Sequence, residues 1–94
     1  MDVEFSDSGL GFLEADPAAK TKLAPNVVRA YRKVMNIIRS AEDERDIRAM
    51  KSLRLEKLKG RRKHQHSLRL NDQMRLIIEF NLNTVLVVAV EDYH

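Results

Sequence analysis

Residues 64–91 read HQHSLRLNDQMRLIIEFNLNTVLVVAVE, and the period of that stretch decides the fold class. His64, His66, Leu68 and Leu70 alternate with Gln65, Ser67 and Arg69, the period of a half-buried strand. Asn71-Asp72 offers turn chemistry, and Met74, Leu76, Ile78 and Phe80 then alternate with Arg75, Ile77 and Glu79. Asn81 to Asn83 reads as a hairpin loop. Thr84 to Glu91 is a β-branched strand, apolar on both faces, and therefore central or covered. The pattern predicts a meander of three or four antiparallel strands. Leu53, Leu55 and Leu58 lead into it and Gly60 bends the chain before it.

Upstream the period lengthens. Pro25 marks a helix start, and Val27, Tyr31, Val34, Met35 and Ile38 recur at spacings of three and four, one apolar stripe over about four turns. Arg29, Arg32, Lys33 and Arg39 face away from it. Ser6 or Asp7 can cap a shorter helix ending near Ala15, with Asp16-Pro17 as its stop, and a further short helix is expected over Glu42 to Met50. Asp2 to Phe5 is either a first strand or a lead-in. The fold class that follows is α+β: two to three N-terminal helices packed on a twisted antiparallel sheet of three to four strands, in a single domain over residues 1–94. The long helix lies across one sheet face and leaves the other partly open.

Charge is distributed unevenly. Residues 1–52 carry nine bases and nine acids, residues 53–75 eight bases against Glu56 and Asp72, and residues 76–94 three acids and no base. A central block of net +6 in a chain of net +3 is the footprint expected of a polyanion binder, although a solvated basic face gives the same count. The chain has no cysteine, which removes disulfides and thiolate metal sites. Met1 to Asp16 holds five acids and no base, unlike a signal peptide, and Val85 to Val90 is too short to span a bilayer. These features predict a cytoplasmic address with no membrane association.

The run Arg54-Leu55-Glu56-Lys57-Leu58-Lys59-Gly60-Arg61-Arg62 is followed by Gln65, by Ser67-Leu68-Arg69-Leu70-Asn71-Asp72-Gln73 and Arg75, and by a terminal Glu91-Asp92-Tyr93-His94. This combination closely resembles HigB toxins of the RelE/ParE superfamily. The resemblance covers most of residues 54–94, and the helical half agrees in element order. Where many relatives carry an aromatic residue this chain has Met74, and where many carry Gly it has His64. The resemblance implies a compact RelE-like fold and an endoribonuclease acting on messenger RNA in the ribosomal A site. It also implies a small helix-turn-helix HigA-type antitoxin, through which operator DNA would be reached.

Metal-free RNA cleavage needs a base for the 2′-hydroxyl, an acid for the leaving 5′-oxygen, cations for the phosphate, and alignment by stacking or by the ribosome. His94 is the first candidate for proton transfer, since an imidazole titrates near neutrality. Asp92 lies two residues earlier and would share its face on a continuing strand, where it can orient the ring. Tyr93 would then point the other way, to stack on a base, donate its hydroxyl, or pack in the core. Arg75 is the preferred phosphate clamp, with an ion pair to Glu79 or Glu91 as the alternative. Lys59 is the second cation, and Arg54, Lys57 and Arg69 are weaker ones. Glu56 stands where some relatives carry His and is the alternative general base. Arg61, Arg62 and Lys63 form a basic tip suited to ribosomal RNA. His64-x-His66 invites a metal reading, but two imidazoles fall short of a closed ligand set, so no metal or other cofactor is expected.

Two other functions fit the same fold, a gyrase-inhibiting toxin of ParE type and a degenerate toxin retained as a co-repressor with its antitoxin.

Overall fold

The computed structural model describes residues 1–93. Three helices and five strands follow one another as β1 (Asp2–Phe5), α1 (Ser8–Ala15), α2 (Pro25–Ser40), α3 (Glu44–Ala49), β2 (Glu56–Lys57), β3 (His66–Arg69), β4 (Met74–Asn81) and β5 (Thr84–Asp92). Short 3₁₀ turns occupy Lys51–Leu53 and Gly60–Arg62. The strands form one sheet in the order β1-β5-β4-β3-β2. The meander β2 to β5 is antiparallel as its period requires. Asp2–Phe5 is a true strand and joins β5 in parallel, a pairing made possible because the helices carry the chain to the far edge at β2 and the meander returns it beside β1.

Each helix begins where its sequence permits. Asp7 caps α1 by accepting a bond from the Gly9 amide at 2.7 Å. Pro25 occupies the first turn of α2, where a missing N–H costs nothing. Asp43 caps α3 through the Arg45 amide at 2.8 Å. Gly11 lets α1 approach β1, since a Cβ there would meet the Phe5 ring at 3.3 Å. The α2 stripe of Val27, Tyr31, Val34, Met35 and Ile38 is wholly buried, against Leu68, Leu76, Ile78, Val85 and Val87 of the sheet. The Tyr31 hydroxyl donates to the Leu10 carbonyl at 2.7 Å, and burial pushes its ionisation up from the ordinary tyrosine value.

One irregularity matters more than the rest. Between Ile77 and Ile78 the β4–β5 pairing slips by one residue: Ile78 faces Val87 but Ile77 faces Ala89, so Val88 is an extra residue on β5. Before the slip the odd-numbered residues Val85 and Val87 face the helices. After it Val90 does so, opposite Leu76, and Glu91 lies opposite Arg75 on the open side of the sheet. A regular strand would have turned Glu91 towards the helices.

Candidate functional site

The open face carries Ser67 from β3, Arg75, Ile77 and Glu79 from β4, and Ala89 and Glu91 from β5, with Glu56 paired to Ser67 at the sheet edge. The chain from Leu58 to Gln65 folds over this face, with Gly60 in a left-handed conformation (φ 67°) that any Cβ would strain. Between that loop, the sheet and Tyr93 lies a cleft of about 140 Å³, lined by Glu56, Arg62, Ser67, Arg75, Glu91 and Tyr93 among others.

Arg75 is the organising cation. It is 7% exposed, and no carboxylate pairs with it among the described residues. Its Nη1 donates to the carbonyls of Asn71 at 2.6 Å and Met74 at 3.1 Å, and its guanidinium carbon stands 3.9 Å from the centre of the Tyr93 ring. The turn that presents those carbonyls is built by Asn71, whose Oδ1 accepts from the amides of Gln73 at 2.9 Å and Met74 at 2.7 Å. A buried guanidinium with one nitrogen anchored to backbone, and with no carboxylate partner among the described residues, is preorganised to receive an anion from the cleft.

The register settles which expected partners meet. Glu91 lies opposite Arg75 but is gripped by Arg62, whose Nη1 and Nη2 donate to its two oxygens at 3.0 and 2.9 Å. Glu79 is held by Gln65 at 3.1 Å, with the His64 Nε2 3.6 Å away. Neither acid takes Arg75 by ion pairing. Tyr93, half-exposed, lies on the Arg75 side rather than in the core. Asp92 is paired with Met74 at the end of the sheet, so parity puts its side chain on the other face even though the residue borders the cleft. His94, expected to share a face with Asp92, lies outside the described residues.

Of the remaining candidates, Glu56 lines the cleft at its far end. Lys59, Arg61 and Lys63 are exposed on the loop that roofs it, while Arg69 is engaged by Asp72. Lys57 pairs with His66 and so faces the helix side, and Arg54 is an exposed left-handed residue (φ 47°) after the first 3₁₀ turn. Neither lines the cleft. The two histidines do not share a face, because β3 begins at His66 and His64 belongs to the preceding turn. His66 packs edge-on against Phe80, 5.1 Å between ring centres, and its Nδ1 is buried without a partner. Burial lowers its pKa, with Arg48 and Lys57 acting in the same direction against Glu44. Among the described residues no group of three His, Asp or Glu is placed to hold a metal ion.

Sequence reasoning missed Glu91, Ser67 and Leu58 as cleft residues. It also averaged away a second basic surface: residues 17–41 contain six bases and no acid, masked by the acids on either side. Within it Lys20, Lys22, Arg29 and Lys33 are exposed, and only Arg39 forms an ion pair among the described residues, with Glu14 at 2.6 Å.

A helical layer on a five-stranded sheet, with an arginine-centred cleft on the uncovered face, defines a RelE-like toxin fold. Solved structures share it, three of which serve as examples. YafQ from E. coli strain BL21(DE3) aligns with a TM-score of 0.64 at 12% identity over 97% of this chain and 91% of that one. The YoeB–YefM complex from Staphylococcus aureus gives 0.60 at 17% over 100% and 97%, and the YoeB/ParE toxin from Agrobacterium tumefaciens 0.57 at 14% over the whole of both chains. No curated protein matches in sequence. Residues 3–94 match the model of the HigB-like toxin family, described as the RelE-like toxin of the type II toxin-antitoxin system HigB. The chain belongs to that family: it is a type II toxin.

Proposed function

We propose that residues 1–94 act as one toxin domain that cleaves messenger RNA in the ribosomal A site, in the cytoplasm, and is neutralised by a HigA-like helix-turn-helix antitoxin. The observation that carries this reading is Arg75: a buried guanidinium over the Tyr93 ring at the floor of an open cleft, with no carboxylate partner among the described residues. In this reading Arg75 holds the scissile phosphodiester and neutralises the charge that builds on it during in-line attack. Tyr93 offers the exposed part of its ring to a base. Glu56 stands at the cleft's other end as general base, and His94 serves as the acid at the leaving oxygen. Lys59, Arg61 and Lys63 on the roofing loop meet further phosphates, and the ribosome completes the alignment. No step calls for a metal.

Induced expression followed by mapping of message 5′ ends tests the reading. Cleavage inside codons, lost in Arg75→Ala, is the expected result. Growth arrest with intact messages and DNA-damage signalling would instead indicate a gyrase inhibitor, and no arrest at all a degenerate co-repressor. An adjacent reading frame for a helix-turn-helix protein of about a hundred residues, a size within the ordinary range of one domain, identifies the antitoxin.

A further inference from the structure

We infer that Glu91 is a positioning residue: through Arg62 it straps the Leu58–Gln65 loop over the open sheet face and so builds the wall of the cleft. The inference rests on the nuclease reading for its kinetic consequence, and on geometry alone for its structural one. The loop is tethered to the body at few points. Its base is closed by the Leu58 amide on the Gln65 carbonyl at 3.0 Å, and Gln65 reaches Glu79 on β4. Its outer part is a 3₁₀ turn that starts at a left-handed Gly60 with nothing within 4 Å of a notional Cβ. Residues in such a turn have little packing to hold them. What joins this part to β5 is the two-pronged Arg62–Glu91 pair, 29 residues apart in sequence. The third prong of the same guanidinium, Nε, donates to Gln65 Oε1 at 3.0 Å, which fixes the plane of the fork.

Arg62 therefore spends three of its five N–H donors, one from each nitrogen, inside the chain, and its guanidinium is held in place rather than free at a basic tip. Its neighbours Lys59, Arg61 and Lys63 form no ion pair among the described residues. The strap fixes where those three cations stand relative to Arg75. Glu91 can do this because the extra residue at Val88 turns it onto the open face. Its location opposite Arg75 has a second consequence: with its carboxylate drawn to Arg62, this acid is kept from quenching the buried cation.

Substitution of both ends separates strap from chemistry. Arg62→Gln, Glu91→Gln and the double variant are compared on ribosomes programmed with a short synthetic message, and by hydrogen exchange of the loop amides. For a strap the three variants behave alike: KM rises about three- to fivefold, the factor an exposed ion pair supports, and kcat stays within about twofold. Exchange of the 59–64 amides accelerates by a similar factor in all three, and Glu91→Asp restores part of it. Arg62→Gln falling far below Glu91→Gln in kcat would make Arg62 a direct phosphate contact and overturn the inference; the reverse order would give Glu91 chemistry of its own and overturn it equally. Unchanged loop exchange in all three also overturns it. If wild-type protein cleaves nothing, or Arg75→Ala cleaves normally, the nuclease reading fails, while the exchange data still decide the strap.

Discussion

Replacing Arg75 tests the cleft at its most loaded point. Its Nη1 is committed to the carbonyls of Asn71 and Met74, so the groups left for an incoming phosphate are Nε and Nη2. A preorganised donor aimed at developing charge is worth about 10²–10³ in rate, or ~3–4 kcal/mol, and Arg75→Ala is expected to lose that much in single-turnover cleavage on programmed ribosomes. Arg75→Lys keeps the charge but neither the two-pronged geometry nor the guanidinium's contact with the Tyr93 ring, and should fall about tenfold short of wild type. Tyr93→Phe retains the ring beneath the guanidinium and should stay close to wild type if stacking is the ring's task; Tyr93→Ala loses the ~0.5–2 kcal/mol of that contact. Arg75→Ala also vacates two charge-assisted bonds to backbone, each worth ~1.5–3 kcal/mol, but relieves a buried cation of its desolvation. These effects oppose one another, so thermal unfolding of the variant should remain cooperative and near the wild-type midpoint. An Arg75→Ala protein that folds normally and cleaves within about threefold of wild type would show that the phosphate is held elsewhere, since a lost donor at the reacting centre cannot cost less than ~1 kcal/mol.

Burial depresses the His66 pKa below its unfolded value of 6.5, so the folded chain favours the neutral ring. Its contribution is intact above pH 6.5 and is lost as pH falls towards the folded value; urea midpoints should drop between pH 7.5 and 5.5, and less so in His66→Phe. Leu82 sits fully exposed at the β4–β5 hairpin tip with φ 55°, a conformation that suits Gly or Asn. Leu82→Gly or Leu82→Asn should therefore raise the stability measured by thermal unfolding, by ~0.5–1 kcal/mol. Neutralising Arg61 and Lys63 together should flatten the dependence of log affinity for single-stranded RNA on log salt by about 1.4, whereas an unchanged slope would place both side chains away from the phosphates.

The elements were legible where a single segment specifies them. The α2 stripe is buried residue for residue, Asp7 and Pro25 start the helices they signal, and the Asn71 turn forms. Arg75 stood out as a candidate because an arginine between Met74 and Leu76 on a strand needs partners for its donors; that the carbonyls of Asn71 and Met74 take two of those bonds was not legible. What the sequence left open was parity and partnership. Val88 is one more β-branched residue in an apolar run, and nothing local marks it as the extra one, yet it decides that Tyr93 meets Arg75. The direction of β1 depends on the whole path through the helices and the meander that ends at β5, and the choice of Arg62 over Arg75 by Glu91 depends on a loop 29 residues away. His66 looked like a partner for His64 because the strand was expected to start two residues earlier than it does.

The ladder absorbs Val88 as a spare residue, so excising that one codon would leave a regular strand in which Ala89, Val90 and Glu91 keep Ile77, Leu76 and Arg75 as partners and therefore keep their faces. What would go is the local kink and added twist that a bulge puts into β5 ahead of Glu91 and Tyr93. A deletion of one unit there would thus change the angle of the cleft wall while every side chain that lines it stayed on its own side of the sheet.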